Sequence, residues 1–480
     1  MSQALEILNW VVTVAVLVYF VTIAIASTLL TIVGWFGVRD YVRRRPMRAY
    51  RDVAESPLSM PVSIIVPAHN EQATIVASLR SLLASQFSQL EIVVVNDGSS
   101  DETAPRIIDA FDMIAVDRAP QGHLHTQPVR DVYFSRSDPR VVFVDKDNGG
   151  KADALNAGLR YARYPLVCCI DADTLLDPWA LSRLVWEFQS DPHTVAVGGI
   201  VRVVNGSELR DGRLVAVRTP ARMLANLQIL EYLRAFLGSR IGWSRLDSLL
   251  IISGAFGLFR RQAVMDVGGY DTTTVGEDAE LVLRLHRRHR ELNKPCRIVF
   301  FPDPICWTEV PESLSVLRSQ RDRWQRGLAQ MLWRNRGVVF NPRYRTMGMF
   351  GVPYFWAFEL LGPIPEVFGY VYVLVGVIFG FVSLPLALAI FLLGTVWGVF
   401  LSLVVIMMEE RAFARYPNWK DLRTLCIAAV IENFGYRQYL AWVRLKAFWT
   451  LRRTSGWGTM TRKGFEPAPA PATDTPRDAH

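Results

Sequence analysis

The chain has 480 residues, of which 51% are hydrophobic, and a formal net charge of +8. Its mean hydropathy of +0.18 is high for a soluble protein, and its length exceeds that of one simple domain. The positive charge would suit either nucleic acid or an anionic membrane surface. Because the sequence carries no nucleic-acid-binding signature, we assign the charge to the membrane and expect no nucleic-acid partner.

The apolar residues are concentrated at two places in the chain. Residues 8–38 and 347–408 are almost free of charge, whereas residues 39–345 have the composition of a soluble α/β domain. The first run is too long for a signal-peptide core and predicts a membrane anchor with its N-terminus outside. Arginines crowd beside both runs, which places the domain between them in the cytoplasm.

This layout predicts a multi-pass membrane protein with four regions. Residues 349–379 and 384–408 can each span a bilayer, whereas 422–450 carries charges and can span, re-enter or lie at the interface. The regions are an N-terminal anchor at 1–40, a cytoplasmic α/β domain at 41–345, transmembrane and interface helices at 346–453, and a loop with a disordered tail at 454–480.

Four short apolar runs in the soluble region alternate with helical patterns. They predict buried strands in a mainly parallel sheet with helices on both faces. In such sheets ligands bind beyond the carboxyl ends of the strands. Four acidic residues lie just past the ends of the last three runs: Asp97, Asp147, Asp171 and Asp173.

Two polar stretches that follow the first strands are candidates for binding a nucleoside. They are Pro67-Ala68-His69-Asn70-Glu71 and Asn96-Asp97-Gly98-Ser99. Asp97 can accept hydrogen bonds from a nucleoside, although helix capping by Asp97 or Asn70 is the alternative. Further along, Gly149-Gly150 precedes Lys151 at a helix start, where a positive charge can meet phosphate. A solvated turn is the alternative there.

The segment Asp171-Ala172-Asp173 is a D-x-D motif at the end of an apolar strand. Two carboxylates at this spacing point to the same side and can hold Mg²⁺ or Mn²⁺ together with diphosphate oxygens. We predict that Asp173 is the metal ligand and that Asp171 contacts the donor sugar or phosphate.

Two later motifs complete the set. Gly276-Glu277-Asp278 opens a helix, where acidic residues also favour the positive N-terminus. Gln320, Arg323 and Trp324 form a Q-x-x-R-W pattern, and their spacing puts them on one face of a helix. An arginine on that face can neutralise diphosphate, and a tryptophan offers a flat apolar face to a sugar.

In this order the motifs resemble those of the membrane-embedded processive glycosyltransferases of family 2, the cellulose, chitin, hyaluronan and poly-N-acetylglucosamine synthases. The resemblance covers roughly residues 60–463. It implies a nucleotide-sugar-binding domain of GT-A-like fold and an inverting transfer, which needs one base and one metal site. The often conserved Thr of the Thr-Glu-Asp motif is Gly276 here, which leaves both carboxylates in place.

The resemblance also implies a role for each matching residue. Asp278 is the base that deprotonates the acceptor hydroxyl, with Glu277 in support, while Gln320 and Trp324 hold the acceptor. Trp457-Gly458-Thr459, with Arg462 after it, resembles a loop that closes over the nucleotide, and a basic membrane anchor is the alternative. The implied donor-binding residues are Pro67, His69, Glu71, Asp97, Lys151, Asp171 and Arg323.

The predicted function is extension of a β-linked polysaccharide from a UDP-sugar. The donor we expect is UDP-N-acetylglucosamine, because the short architecture of the chain most resembles that of the poly-N-acetylglucosamine and chitin-oligomer synthases. The implied partners are the growing polysaccharide, the lipid bilayer of a bacterial inner membrane, and an export or regulatory subunit. Two other hypotheses stay open: a non-processive lipid glycosyltransferase, and an assembly scaffold with a decayed enzyme domain.

Overall fold

The computed structural model describes residues 3–44, 47–172, 174–210 and 213–451. Within these ranges the soluble region forms one ten-stranded sheet flanked by helices, and a separate two-stranded hairpin. The strands are β1 Val62–Ala68, β2 Leu90–Asp97, β3 Met113–Ala115, β4 Val129–Ser135, β5 Val141–Lys146, β6 Leu166–Ile170, β7 Leu175–Leu176, β8 Thr194–Val203, β9 Glu208–Arg210, β10 Arg213–Ala216, β11 Phe256–Arg260 and β12 Arg297–Thr308.

The helices lie on both sides of this sheet and in the apolar regions. They are α1 Gln3–Arg44, α2 Met47–Glu55, α3 Ile75–Leu83, α4 Thr103–Ala110, α5 Lys151–Tyr161, α6 Ala180–Ser190, α7 Met223–Leu233, α8 Ile241–Arg245, α9 Arg261–Asp266, α10 Glu277–Glu291, α11 Leu314–Arg334, α12 Val352–Tyr354, α13 Pro363–Ile378, α14 Leu384–Ala412, α15 Trp419–Ile431 and α16 Arg437–Lys446. Segments of π-helical pattern include Arg234–Arg240, between α7 and α8, and Phe355–Leu360, before α13.

The large sheet has the order β3-β4-β5-β2-β1-β6-β11-β8-β12-β7. Its centre is parallel across β5, β2, β1 and β6, and β11 is the antiparallel neighbour of both β6 and β8. Every residue of β1, β2 and β6 is buried, as expected for strands covered on both faces. The predicted α/β fold with a mainly parallel sheet and apolar helices is confirmed, and the parallel strands end together at one edge.

Among the residues that the structure describes, two helices are long and apolar enough to cross a membrane: residues 6–44 within α1, and α14. The segment 349–379, which the sequence indicates can span, contains two helical pieces, Met347–Leu360 and Pro363–Ile378, bent by 41°, as in a broken span or a re-entrant loop. The segment 422–450, for which the sequence left three arrangements open, does not form one continuous spanning helix among the described residues. Its helices α15 and α16 are separated by a kink at Phe434 and Gly435.

Buried polar contacts join the sheet to the apolar helices. Arg202 of β8 forms an ion pair with Glu409 of α14, and both side chains are almost fully buried. Asp303 of β12 accepts a hydrogen bond from the Tyr41 hydroxyl of α1 at 3.0 Å and lies 3.5 Å from the guanidinium of Arg183. The soluble region and the apolar helices therefore share one set of buried contacts.

Candidate active site

The ends of β2 and β5 are held together by a buried lysine. Lys146 places its Nζ atom 2.5 Å from Asp97 and 2.6 Å from Asp153, and its side chain is fully buried. Asp97 also accepts hydrogen bonds from the backbone amides of Gly149 and Gly150, at 3.0 and 2.8 Å. In this structure the Asp97 carboxylate therefore fixes the loop before α5, and its oxygens are taken by protein donors. Asp97 does not act as a helix cap here.

The polar stretch after β1 packs against this loop. His69 lies with Nδ1 2.9 Å from the carbonyl oxygen of Asp97, which also accepts a hydrogen bond from Asn148 at 2.9 Å. Glu71 is buried, and its carboxylate accepts a hydrogen bond from the Thr74 hydroxyl at 2.8 Å. Pro67 lies within β1, opposite Val95 of β2. The predicted donor-binding residues Pro67, His69 and Glu71 therefore gather with Asp97 at one edge of the sheet.

A second cluster lies beyond β6, at the start of α5 and α10. Lys151 has its Nζ atom 2.5 Å from Asp171 and 3.8 Å from Glu277. Burial disfavours the charge of Lys151, but the fields of Asp171 and Glu277 outweigh it and hold the lysine pKa above its usual value. Burial raises the pKa of Glu277 to about 7, against the opposing field of Lys151. The structure thus brings together Lys151, Asp171 and Glu277 from three elements.

Asp278 lies beside this cluster and is held by two backbone amides. Gly254 donates to Oδ2 at 2.8 Å, and Ala279 donates to Oδ1 at 2.8 Å. A Cβ atom on Gly254 would lie 3.2 Å from Oδ2 of Asp278 and 3.3 Å from Nζ of Lys151. The absence of a side chain at Gly254 therefore lets the carboxylate and the lysine approach the same backbone segment. Both carboxylates of the motif also line a small cavity, together with Ser253, Gly254 and Tyr270.

Helix α11 carries the Q-x-x-R-W motif. Gln320 is buried, and its Oε1 atom has no hydrogen-bond partner in the described part of the chain. Arg323 is half-buried. Trp324 is 45% exposed, and the guanidinium of Arg321 lies 4.1 Å from the centre of its ring. Arg321 is itself anchored by Glu231 at 2.9 Å, so one face of Trp324 is covered and its position is fixed.

The two motif helices meet at a pair of glycines. A Cβ atom on Gly276 would lie 2.9 Å from the Cα atom of Gly327, and a Cβ atom on Gly327 would lie 2.8 Å from the Cα atom of Gly276. Such distances leave no room for a side chain on either residue. The departure from Thr at position 276 therefore matches a close approach between the start of α10 and the middle of α11.

Four predicted site residues lie outside the described residues: Asp173 of the D-x-D motif, and Trp457, Thr459 and Arg462 of the predicted gating loop. In the described ranges no group of three His, Cys, Asp or Glu residues could hold a metal ion. His123 and His125 are both exposed. A divalent cation that binds a nucleotide needs only one or two carboxylates besides the phosphates, and Asp171 supplies one at the strand end. One carboxylate of the D-x-D motif, Asp171, is therefore in place at the strand end, where it is paired with Lys151.

Sequence reasoning missed two residues that shape the site, Lys146 and Gly254. Lys146 ends an apolar strand as a single basic residue beside Asp145. A lysine in that position signals a buried carboxylate partner, because a buried ammonium group needs one. Gly254 carries no comparable signal, since its importance depends on Asp278, which lies 24 residues away in the chain.

Comparison with protein-family models places the chain in a known class. The model described as "Glycosyl transferase family 2" matches residues 63–268, and "Glycosyl transferase family group 2" matches residues 166–401. Together the matches extend from β1 to α14 and include the Lys151 cluster and both motif helices. The chain belongs to the family 2 glycosyltransferases.

Among the curated proteins similar to this chain are synthases of one polysaccharide. Poly-beta-1,6-N-acetyl-D-glucosamine synthase of Staphylococcus aureus (strain COL) is 33% identical over 280 residues, which are 57% of this chain and 56% of that protein. The protein of the same name from Staphylococcus epidermidis is 31% identical over 275 residues, with the same coverage. The alignments thus span about half the length of these relatives.

Two solved structures show a weaker likeness. A mannosyltransferase from Pyrobaculum calidifontis in complex with GDP-Man and Mn²⁺ has a TM-score of 0.49 at 19% identity, covering 87% of this chain and 99% of that one. Staphylococcus aureus TarS 1-349 in complex with UDP-GlcNAc has a TM-score of 0.40 at 15% identity, covering 79% and 92%. Both scores are below 0.5, so nothing about substrate or metal follows from them.

Proposed function

We propose that this protein is an inverting glycosyltransferase that extends a β-linked polysaccharide from a UDP-sugar at the cytoplasmic face of a bacterial inner membrane. The proposed donor is UDP-N-acetylglucosamine, because the relatives that align over half their length are named for a polymer of that sugar. The proposed membrane position rests on the two candidate spans and on the arginines that flank them.

One observation carries the proposal: Lys151, Asp171, Glu277 and Asp278 converge beyond the end of β6, and a glycine contact fixes α11 against them. A cation and several carboxylates at this edge can serve both halves of a glycosyl transfer. The donor half needs its diphosphate neutralised, and the acceptor half needs a base. The family match alone would not assign these tasks to particular residues.

On the donor side, we assign Lys151 and Arg323 to the diphosphate, and Pro67, His69, Glu71 and Asp97 to the nucleoside pocket. Asp97 contributes to this pocket indirectly, because its carboxylate holds the loop before α5 in place. Asp173 would hold Mg²⁺ or Mn²⁺, which would neutralise charge on the leaving diphosphate, and Asp171 would contact the donor sugar or phosphate. Residues Trp457, Thr459 and Arg462 are proposed to close over the nucleotide.

On the acceptor side, Gln320 and Trp324 hold the end of the growing chain. Asp278 accepts the proton of the attacking hydroxyl while the hydroxyl oxygen forms a bond to the anomeric carbon. The bond between that carbon and the diphosphate oxygen breaks, and UDP leaves. The two backbone amides that bind Asp278 fix its carboxylate for this task. Glu277, which lines the same small cavity, assists Asp278 in this role.

The test is UDP release and product size, measured on the purified protein in nanodiscs with Mg²⁺ or Mn²⁺ and a panel of UDP-sugars. We expect turnover of UDP-N-acetylglucosamine with a long, glycosidase-sensitive product. Asp278→Asn should retain UDP binding and lose transfer. Asp266→Asn, an exposed carboxylate that accepts a hydrogen bond from Gln262 at 2.7 Å, is the control and should keep full activity.

Other outcomes would replace the proposal. A single glycosylated lipid as product would identify a non-processive lipid glycosyltransferase. No turnover of any UDP-sugar with acceptor and metal present would favour the scaffold hypothesis. Normal transfer by Asp278→Asn would remove Asp278 from the role of base.

A further inference from the structure

The ring of Trp324 is covered on one face by its neighbour in the helix. Arg321 precedes Trp324 by three residues, a spacing that makes the two side chains neighbours on the surface of α11. The Cζ atom of the Arg321 guanidinium lies 4.1 Å from the centre of the ring, whereas 45% of Trp324 is exposed. A sugar can therefore stack on this ring only from the face that Arg321 leaves open.

The Arg321 guanidinium is itself held by two residues outside α11. Its Nη2 atom donates to Oε2 of Glu231 in α7 at 2.9 Å, and only 4% of the arginine side chain is exposed. The same oxygen of Glu231 accepts a hydrogen bond from the Tyr436 hydroxyl at 3.0 Å. Hydrogen bonds to a carboxylate are among the stronger ones in proteins. The orientation of Arg321 therefore depends on Glu231 and, through it, on Tyr436.

Tyr436 lies just after the kink in its own segment. The helix is broken at Gly435, whose φ angle of +102° favours glycine. Glu432, on the other side of the kink, accepts hydrogen bonds from Arg234 at 2.6 and 2.8 Å. Two polar contacts, one on each side of the kink, thus dock this segment on α7 and on the π-helical segment that follows it. They fix the Tyr436 hydroxyl at Glu231.

We propose that Arg321, Glu231 and Tyr436 are positioning residues for the acceptor, which hold the Trp324 ring in the orientation in which a sugar stacks on its open face. The ligand is the terminal sugar of the growing chain. A ring that is held before the sugar arrives loses less conformational freedom on binding, so the acceptor binds more tightly. This inference rests on the proposed function, which assigns Trp324 to the acceptor.

The test measures the KM for a β-1,6-linked N-acetylglucosamine pentamer with Arg321→Met and Tyr436→Phe in nanodiscs. Arg321→Met removes the cation from the ring and should raise this KM about 3- to 30-fold, the range expected for a cation held against an aromatic ring. Tyr436→Phe removes only a hydroxyl, perturbs the packing least, and should raise it about 2- to 10-fold. The KM for UDP-N-acetylglucosamine and its slow hydrolysis by water should stay unchanged, because neither uses the acceptor.

The same substitutions in a Trp324→Leu background separate positioning from a general effect on the fold. If Arg321 acts through the ring, Arg321→Met should change the KM for the pentamer by less than about twofold once the ring is gone, because the two effects are then not additive. The matched control is Tyr439→Phe in α16. It removes a hydroxyl that donates to the carbonyl oxygen of Leu314, at the start of α11, at 3.1 Å, and it should change none of these values.

An equal rise in the KM for the pentamer with and without the Trp324 ring would overturn the proposal. A fall in UDP-sugar hydrolysis as large as the loss of pentamer transfer would do the same. Direct binding of the pentamer to the UDP-loaded protein separates this inference from the proposed function. If Arg321→Met weakens that binding only when Trp324 is present, but the protein turns over no UDP-sugar, the proposed function fails and the positioning role stands. If Arg321→Met extends the pentamer normally at low pentamer concentration, the positioning role is refuted and the proposed function stands.

Discussion

Gly276 and Gly327 touch through their backbones, and neither position has room for a Cβ atom. The contact joins the residue before Glu277 and Asp278 to the helix that carries Gln320, Arg323 and Trp324. It therefore sets the separation between the proposed base and the proposed acceptor-binding face. A displacement of about 1 Å can cost roughly 100-fold in rate when reacting groups must be aligned.

We expect Gly327→Ala and Gly276→Thr each to lower kcat by roughly 10- to 100-fold, because the added atoms must push the two helices apart. Gly276→Thr is informative because it installs the residue often found in the family. The measurement is UDP release with acceptor present. Gly337→Ala, just after α11, has no atom within 4 Å of its Cβ position and should leave the rate unchanged. A normal rate for Gly327→Ala would show that the contact is not critical.

Lys146→Met should destabilise the fold. It would leave the carboxylates of Asp97 and Asp153 buried without their shared cation, and breaking such a pair typically costs about 3–5 kcal/mol. We expect a lower midpoint of thermal unfolding, followed by tryptophan fluorescence, together with weaker UDP binding as the loop before α5 loosens. Arg130→Ala removes an exposed pair with Asp147 and should cost less than about 1 kcal/mol. Equal effects of the two substitutions would contradict this account.

Glu277 predicts a pH dependence of stability in the protein without nucleotide. Its pKa is raised from 4.5 to about 7 by burial, so the folded state binds this proton more tightly than the unfolded state does. The stability from this group is therefore complete below about pH 4.5 and is lost as pH rises through 7. Unfolding midpoints measured from pH 4.5 to 8 should fall, and Glu277→Gln should remove part of that fall. An unchanged profile would show that Glu277 ionises normally.

Arg323→Ala should lower kcat by roughly 100-fold or more if its guanidinium stabilises the departing diphosphate. The KM for the acceptor should change little, because Arg323 is assigned to the donor. Arg318→Ala lies in the same helix but is exposed, and serves as the control for loss of one positive charge. Rates within twofold of each other for the two variants would make Arg323 a structural residue.

The parts of the fold that could be predicted are those encoded by neighbouring residues. The apolar runs gave β1, β2, β5 and β6, and the strand-end rule located Asp97 and Asp171. Features that depend on residues far apart in the chain could not be read. Examples are the capture of the Asp97 carboxylate by the loop at Gly149 and Gly150, and the contact of Gly276 with Gly327. Hydropathy shows that a segment is apolar but not whether its helix is straight, so the bend within 349–379 was not predicted.

The ion pair between Arg202 and Glu409 has a consequence for any attempt to isolate the catalytic region. A fragment that ends at residue 345 would keep Arg202 in β8 but lose Glu409, and Asp303 would lose the Tyr41 hydroxyl if α1 were also removed. The fragment would then expose charges and apolar surfaces shaped to fit helices that are no longer there. We therefore expect the sheet and the apolar helices to depend on each other for stability, although their compositions differ sharply.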